Sequence, residues 1–174
     1  MKQNLNAEII KSIQDFRFPK YHEIPDVGLF LEQVAKYISS FLEPLGDITV
    51  TGSMISNYVK KGVVDRSVNK RYYRNHIAYL IFVVVAKGVL SIENISYLFQ
   101  LQKTSYTAQV AYDYFKMEFE NMIEYVSDEK DEIEEIGVTQ SEAKMLLRKT
   151  IISFAHKMFV DMYLEIKMGE SLPE

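Results

Sequence analysis

Ten consecutive apolar residues, Ile77 to Ala86 in "IAYLIFVVVA", constrain this chain more than any other stretch. A bilayer span needs about twenty such residues, and Lys87 closes this run at half that length. The run therefore reads as an element buried inside the protein. Its β-branched residues suit a buried strand, and a buried helix fits equally well. The opening "MKQNLNAEIIKSIQDF" lacks the long apolar stretch of a secretory signal. With no cysteine in 174 residues, disulfides, thiolate zinc sites and cysteine nucleophiles are excluded. A soluble cytoplasmic protein with no membrane partner is expected.

Around the apolar run the periodicity is helical. Residues 1–18 read as a short amphipathic helix carrying Leu5, Ile9, Ile13 and Phe16. "FPKYHEIPD", with Pro19 and Pro25, reads as an extended connector, and Asp26 is available to cap the next segment. The pattern from Leu29 to Leu42 predicts a helix that stops before Pro44. Thr51 to Lys61 predicts another, closed by Gly62, and residues 62–72 read as a loop or small hairpin. Ser91 caps a helix bearing Ile92, Ile95, Leu98 and Phe99.

Beyond residue 103 the pattern changes. Tyr106 to Val126 predicts a helix, and the acidic "SDEKDEIEE" comes after it. Thr139 and Glu142 then form a capping box opening a helix to about Met168. Ala143, Leu147, Thr150, Ile151, Phe154, Met158 and Met162 on it approach a heptad stripe. The chain thus divides into an N-terminal helix (1–18), a central region (19–103) and a helical extension (104–174).

Charge singles out one part of the central region. Residues 58–76 hold six cations against Asp65 alone, a net +5, which leaves −9 on the rest of a chain whose total is −4. On a helix from Thr51, Ile55, Tyr58 and Val59 share an inward face. Ser53, Ser56, Asn57 and Lys60 share the opposite one, and such hydroxyl, amide and cationic groups bond base edges in a major groove. Lys61, Arg66, Lys70, Arg71 and Arg74 suit phosphates, while Tyr58 and Tyr72 either touch the DNA backbone or brace the loop. A polar outer face alone also describes an ordinary solvated helix. A localised positive patch on an acidic chain favours double-stranded DNA as the partner.

"MISNYVKKGVV" and "KRYYRNHIAYLIFVVVAKGVLSIENI" resemble the DNA-binding half of MerR-type winged-helix regulators. Tyr58, Gly62-Val63, Arg71-Tyr72 and the run Ser91-Ile92-Glu93-Asn94-Ile95 carry the likeness at the corresponding spacing. Residues 16–120 are more specifically similar to a bacterial domain-of-unknown-function family numbered 1836, some of whose members are regarded as transcriptional regulators. The resemblance implies a helix over Ile77 to Lys87. It implies a mostly α fold: a MerR-like winged helix-turn-helix with a small β wing, followed by the C-terminal helical extension. Two departures bear on the wing: Ser67 and Val68 replace the usual proline, and Tyr73 replaces a capping serine or threonine. The connection from Phe41 to Thr51 is also longer than a tight helix-turn-helix allows.

Other chemistries find no footing. His22, His76 and His156 are far apart and lack metal-ligand spacing. No phosphate-binding glycine loop, nucleophile elbow or calcium-loop order occurs, so neither catalysis nor a cofactor is expected. The aromatics and methionines from Tyr106 to Met122 admit three readings: core, the seam of a homodimer with the Leu147 to Met162 stripe, or the lining of a small-molecule effector pocket. Dimerisation fits DNA reading, because one short helix spans too few base pairs. The expected function is a sequence-specific, dimeric DNA-binding transcription regulator. The alternative is a protein-interaction module that keeps the fold without binding DNA.

Overall fold

A computed structural model describes residues 2–127, 130–137 and 141–170. Among these, seven α-helices succeed one another: α1 (Lys2–Ile13), α2 (Leu31–Leu42), α3 (Gly52–Lys60), α4 (Arg74–Ala86), α5 (Ile92–Lys103), α6 (Ala108–Val126) and α7 (Glu142–Glu170). Two single 3₁₀ turns, Tyr21–Glu23 and Glu43–Leu45, break the connectors. No described helix is long and apolar enough to cross a membrane.

The apolar run is helix α4, as the family resemblance implied, and it is enclosed. Nine of its residues from Ile77 to Ala86 are buried, on every side of the helix rather than along one stripe. Helices α6 and α7 pack against it. Each fully buried leucine or isoleucine on α4 contributes about 1.5–3 kcal/mol through area removed from water.

One hydrophobic core runs through the whole chain, from Ile9 and Ile13 on α1 to Phe154 and Met158 on α7. At its centre Phe18, Phe115 and Phe119 meet, with Phe18–Phe119 centroids 4.7 Å apart and Phe18–Phe115 centroids 5.1 Å apart. Phe16 and Phe18 reach this cluster from the segment after α1, so the first helix is tethered to α6 and α7.

Most of the α7 stripe is spent inside the chain. Thr150, Ile151, Phe154 and Met158 are buried against neighbouring helices, and Tyr112, Phe115, Phe119 and Met122 of α6 are buried too. They belong to the core of the chain itself. Thr139, half of the expected capping box, lies outside the described residues. The observed cap of α7 is Ser141, whose Oγ accepts the Lys144 N–H at 3.2 Å.

Two further expectations are corrected. The β wing shrinks, among the described residues, to two isolated antiparallel bridges, Val68–Arg71 and Leu29–Tyr72. Asp26 does not cap α2, where the Gln33 side chain instead accepts the Phe30 N–H at 2.8 Å.

Candidate nucleic-acid interface

Helix α3 is short and closed at both ends. Thr51 Oγ1 accepts the Met54 N–H at 3.3 Å, and Ser53 Oγ lies 3.0 Å from the same hydroxyl. At the other end Lys61 N–H donates to Asn57 O and Val63 N–H to Tyr58 O, while Gly62 takes φ +71°, a left-handed value that suits glycine. The start of α3 presses against α2, because a Cβ at Gly52 would collide with the Glu32 carboxylate. The helix buries Ile55 and Tyr58 and leaves Ser53, Ser56, Asn57 and Lys60 exposed. The inward and outward faces fall where the periodicity put them.

Beyond α3, Val68 and Arg71 exchange backbone hydrogen bonds at 2.9 Å across a two-residue turn. Asn69 and Lys70 supply its corner with φ of 50° and 63°. Two successive positive φ values are the geometry of a type I′ hairpin, in which glycine is the favoured second residue. A lysine there carries left-handed strain of about 1–2 kcal/mol. The base of the turn is fixed by Leu29 and Tyr72, which exchange two backbone bonds of 2.8 Å. Arg71 Nη1 donates to Gly28 O at 2.9 Å and its guanidinium sits 4.4 Å above the Phe30 ring, yet the residue stays exposed.

Three of the eleven expected contact residues have other employment. Tyr58 is 5% exposed and Tyr72 6%, so neither ring can reach a duplex. Of the two roles open to them, the structure supports bracing, with Tyr72 edge-on to His76 at 5.8 Å. Arg74 is a clamp: Nε donates to Ile24 O at 3.0 Å, Nη2 to His22 O at 3.3 Å, and Nη1 pairs with Asp26 at 3.7 Å. It holds the connector in place and has little left for phosphate.

Tyr73 offers α4 no capping hydroxyl, and one local and one distant group serve the helix start instead. His76 Nδ1 accepts the Tyr73 N–H at 3.1 Å, and Asp26 Oδ1 accepts the Arg74 N–H at 3.0 Å. With Nδ1 accepting, the ring proton belongs on Nε2, which lies 3.1 Å from Arg66 O. His76 thus ties the hairpin approach to the helix.

The electrostatic balance turns on Asp65. It is the single acid of residues 58–76, and it pairs with Lys103 of α5 at 3.3 Å rather than with any cation of its own stretch. Among the described residues, Lys60, Arg66, Lys70 and Arg71 have no carboxylate within ion-pair distance. Lys61 is close enough to Glu93 to affect it, although that carboxyl is lowered first by backbone and Ser91 hydrogen bonds. Sequence reasoning missed both Lys103 and the capping role of Asp26, since each acts across about forty residues or more. The uncapped Tyr73 was the one signal pointing to a partner from elsewhere. No described cluster of histidines and carboxylates is placed to hold a metal.

No curated protein and no solved structure matches the chain. The family model described as domain of unknown function DUF1836 matches residues 19–115. That interval contains α2 to α5, the hairpin and every residue of the candidate interface, and it covers more than half of the 174 residues. The chain belongs to this DUF1836 family.

Proposed function

We propose that this protein is a sequence-specific, double-stranded-DNA-binding transcription regulator of the MerR-like winged-helix type, acting as a homodimer. The observation that carries the reading is the engagement of Asp65 by Lys103. It leaves the cations of the hairpin region without their nearest counter-charge, beside a helix whose outward face is Ser56, Asn57 and Lys60. The left-handed Lys70 adds weight, because strain held at a cationic loop position is common where the side chain has a task.

In this reading Asn57, Ser56 and Lys60 meet base edges, with Ser53 at the margin because its hydroxyl is engaged at the helix cap. Lys61, Arg66, Lys70 and Arg71 hold phosphates. The short hairpin serves as the wing. Self-association would use the C-terminal half of α7, where Val160, Leu164 and Met168 recur every fourth residue and are exposed.

Fluorescence-anisotropy titration of the DNA upstream of the protein's own gene, against random duplex and across a salt series, tests this. Four phosphates neutralised per subunit give a dimer a log–log salt slope of about −7. A slope near zero, or equal affinity for both duplexes, contradicts the reading.

A second reading has one observation in its favour. Val27, Phe30 and Val68 are exposed apolar residues on the segments that form the hairpin's base and arm. They suit an apolar patch on a protein partner, whose acidic rim would meet the neighbouring cations. Asn57→Ala separates the two, because relaxed sequence preference is expected only if the helix reads bases.

A further inference from the structure

An apolar recess lies outside the candidate interface, between α4, α5, α6 and α7. Its walls are the rings of Phe82, Phe99 and Phe115, and it exists because Ala78, Ala111 and Ala143 face it where larger side chains would fill it. A cavity of about 70 Å³ remains. At 10–15 Å³ for each water-sized group, that is room for about five such groups. Val110, 51% exposed, lies on its rim, so the recess opens to solvent.

The polar groups around it are nearly all satisfied. Gln102 accepts from the Tyr79 hydroxyl at 3.0 Å and donates to Tyr106 O at 2.7 Å. Tyr106 donates to Ser141 Oγ at 3.1 Å, and Tyr114 donates to Glu118 at 2.6 Å. The Glu118 carboxylate is in turn compensated by Arg148 at 3.3 Å. The exception is Lys144. Its ammonium lies 4.8 Å from the Tyr114 ring centre and 5.7 Å from that of Tyr106, and it has no carboxylate within ion-pair distance among the described residues. The two rings orient the cation through their negative faces without neutralising it.

We propose that this recess binds a small apolar monocarboxylate, its tail or ring among the phenylalanines and its carboxylate on Lys144. The apolar walls select the tail. One unneutralised cation selects a single negative charge, and a ligand with a cationic head would meet Lys144 unfavourably. The cavity holds a chain of about five carbons or the greater part of an aromatic ring, the remainder lying in its open mouth. Most of the lining lies within the family-matched residues, and Lys144 comes from α7 beyond them. This site does not depend on whether the chain binds DNA.

Benzoate and hexanoate are the probes, titrated into the full chain and monitored by ligand-observed NMR, with benzyl alcohol as the uncharged comparison. Both acids are expected to bind, and benzoate more tightly than benzyl alcohol. Lys144→Gln should weaken benzoate about fivefold or more, the scale of one charge-assisted contact, and leave benzyl alcohol unchanged. Ala111→Leu should abolish both by filling the cavity. Ala143→Leu, on α7 across the recess, provides the same block if Ala111→Leu does not fold. No binding of either acid at tens of millimolar overturns the proposal. So does benzoate binding that survives Lys144→Gln undiminished or persists in a folded cavity-filled variant.

Discussion

Asp26 Oδ1 accepts the backbone N–H of Arg74 at 3.0 Å, so a carboxylate 48 positions earlier caps the helix that forms the centre of the core. The Arg74 guanidinium returns the contact, pairing with Asp26 and donating to Ile24 O and His22 O. Connector, helix start and hairpin base are thereby locked together.

Loss of this cap is measurable. Asp26→Ala is expected to destabilise the fold by about 1 kcal/mol, the usual cost of removing an N-cap carboxylate. Urea denaturation monitored by far-ultraviolet circular dichroism reads it as a lowered midpoint at unchanged slope. An unchanged midpoint would mean that His76 alone suffices.

The two arginines near the hairpin should behave oppositely. Arg74→Ala removes two carbonyl contacts and an ion pair, and a loss of about 1–3 kcal/mol of stability is expected. Arg66→Ala touches only solvent-facing charge and should leave the midpoint within about 0.5 kcal/mol. On DNA, Arg66→Ala should lower the salt slope by about 1 per subunit.

Lys70 separates stability from binding in a single substitution. Lys70→Gly relieves a φ of 63° and should raise stability by up to about 1 kcal/mol. The same change removes a phosphate contact, so affinity for all duplexes should fall while sequence preference is kept. Increased stability with undiminished DNA affinity would remove Lys70 from the interface.

Asn57 should carry preference rather than stability. Asn57→Ala is expected to cost about 1–3 kcal/mol on the preferred site and little on random duplex. Comparison of the two affinities at one salt concentration checks it.

Burial lowers the Lys87 ammonium below its ordinary value of 10.5, with its Nζ donating to Thr49 O at 3.1 Å. Below the lowered value both folded and unfolded states hold the proton and the burial cost is fully present. As pH rises through it, the folded state releases the proton first, so stability increases until the unfolded lysine also titrates. The stability difference between the wild type and Lys87→Met should therefore move in the wild type's favour over that alkaline window.

The sequence by itself determined what is local. Helix positions come from apolar spacing and from caps within four residues, as at Thr51, Ser91 and Gly62, because those interactions close over a single turn. The outward Ser56, Asn57 and Lys60 come from the same period. The apolar run was ambiguous from its own residues, since a segment buried on all sides carries no periodicity. Only the tertiary structure decided which charges are free. Whether Arg74 faces phosphate or the connector, whether Asp65 neutralises its neighbours or Lys103, and whether the α7 stripe meets another copy or its own core each depend on groups brought from tens of residues away. Hydrogen bonds and ion pairs act over a few ångströms in space, and no spacing along the chain encodes which partner arrives.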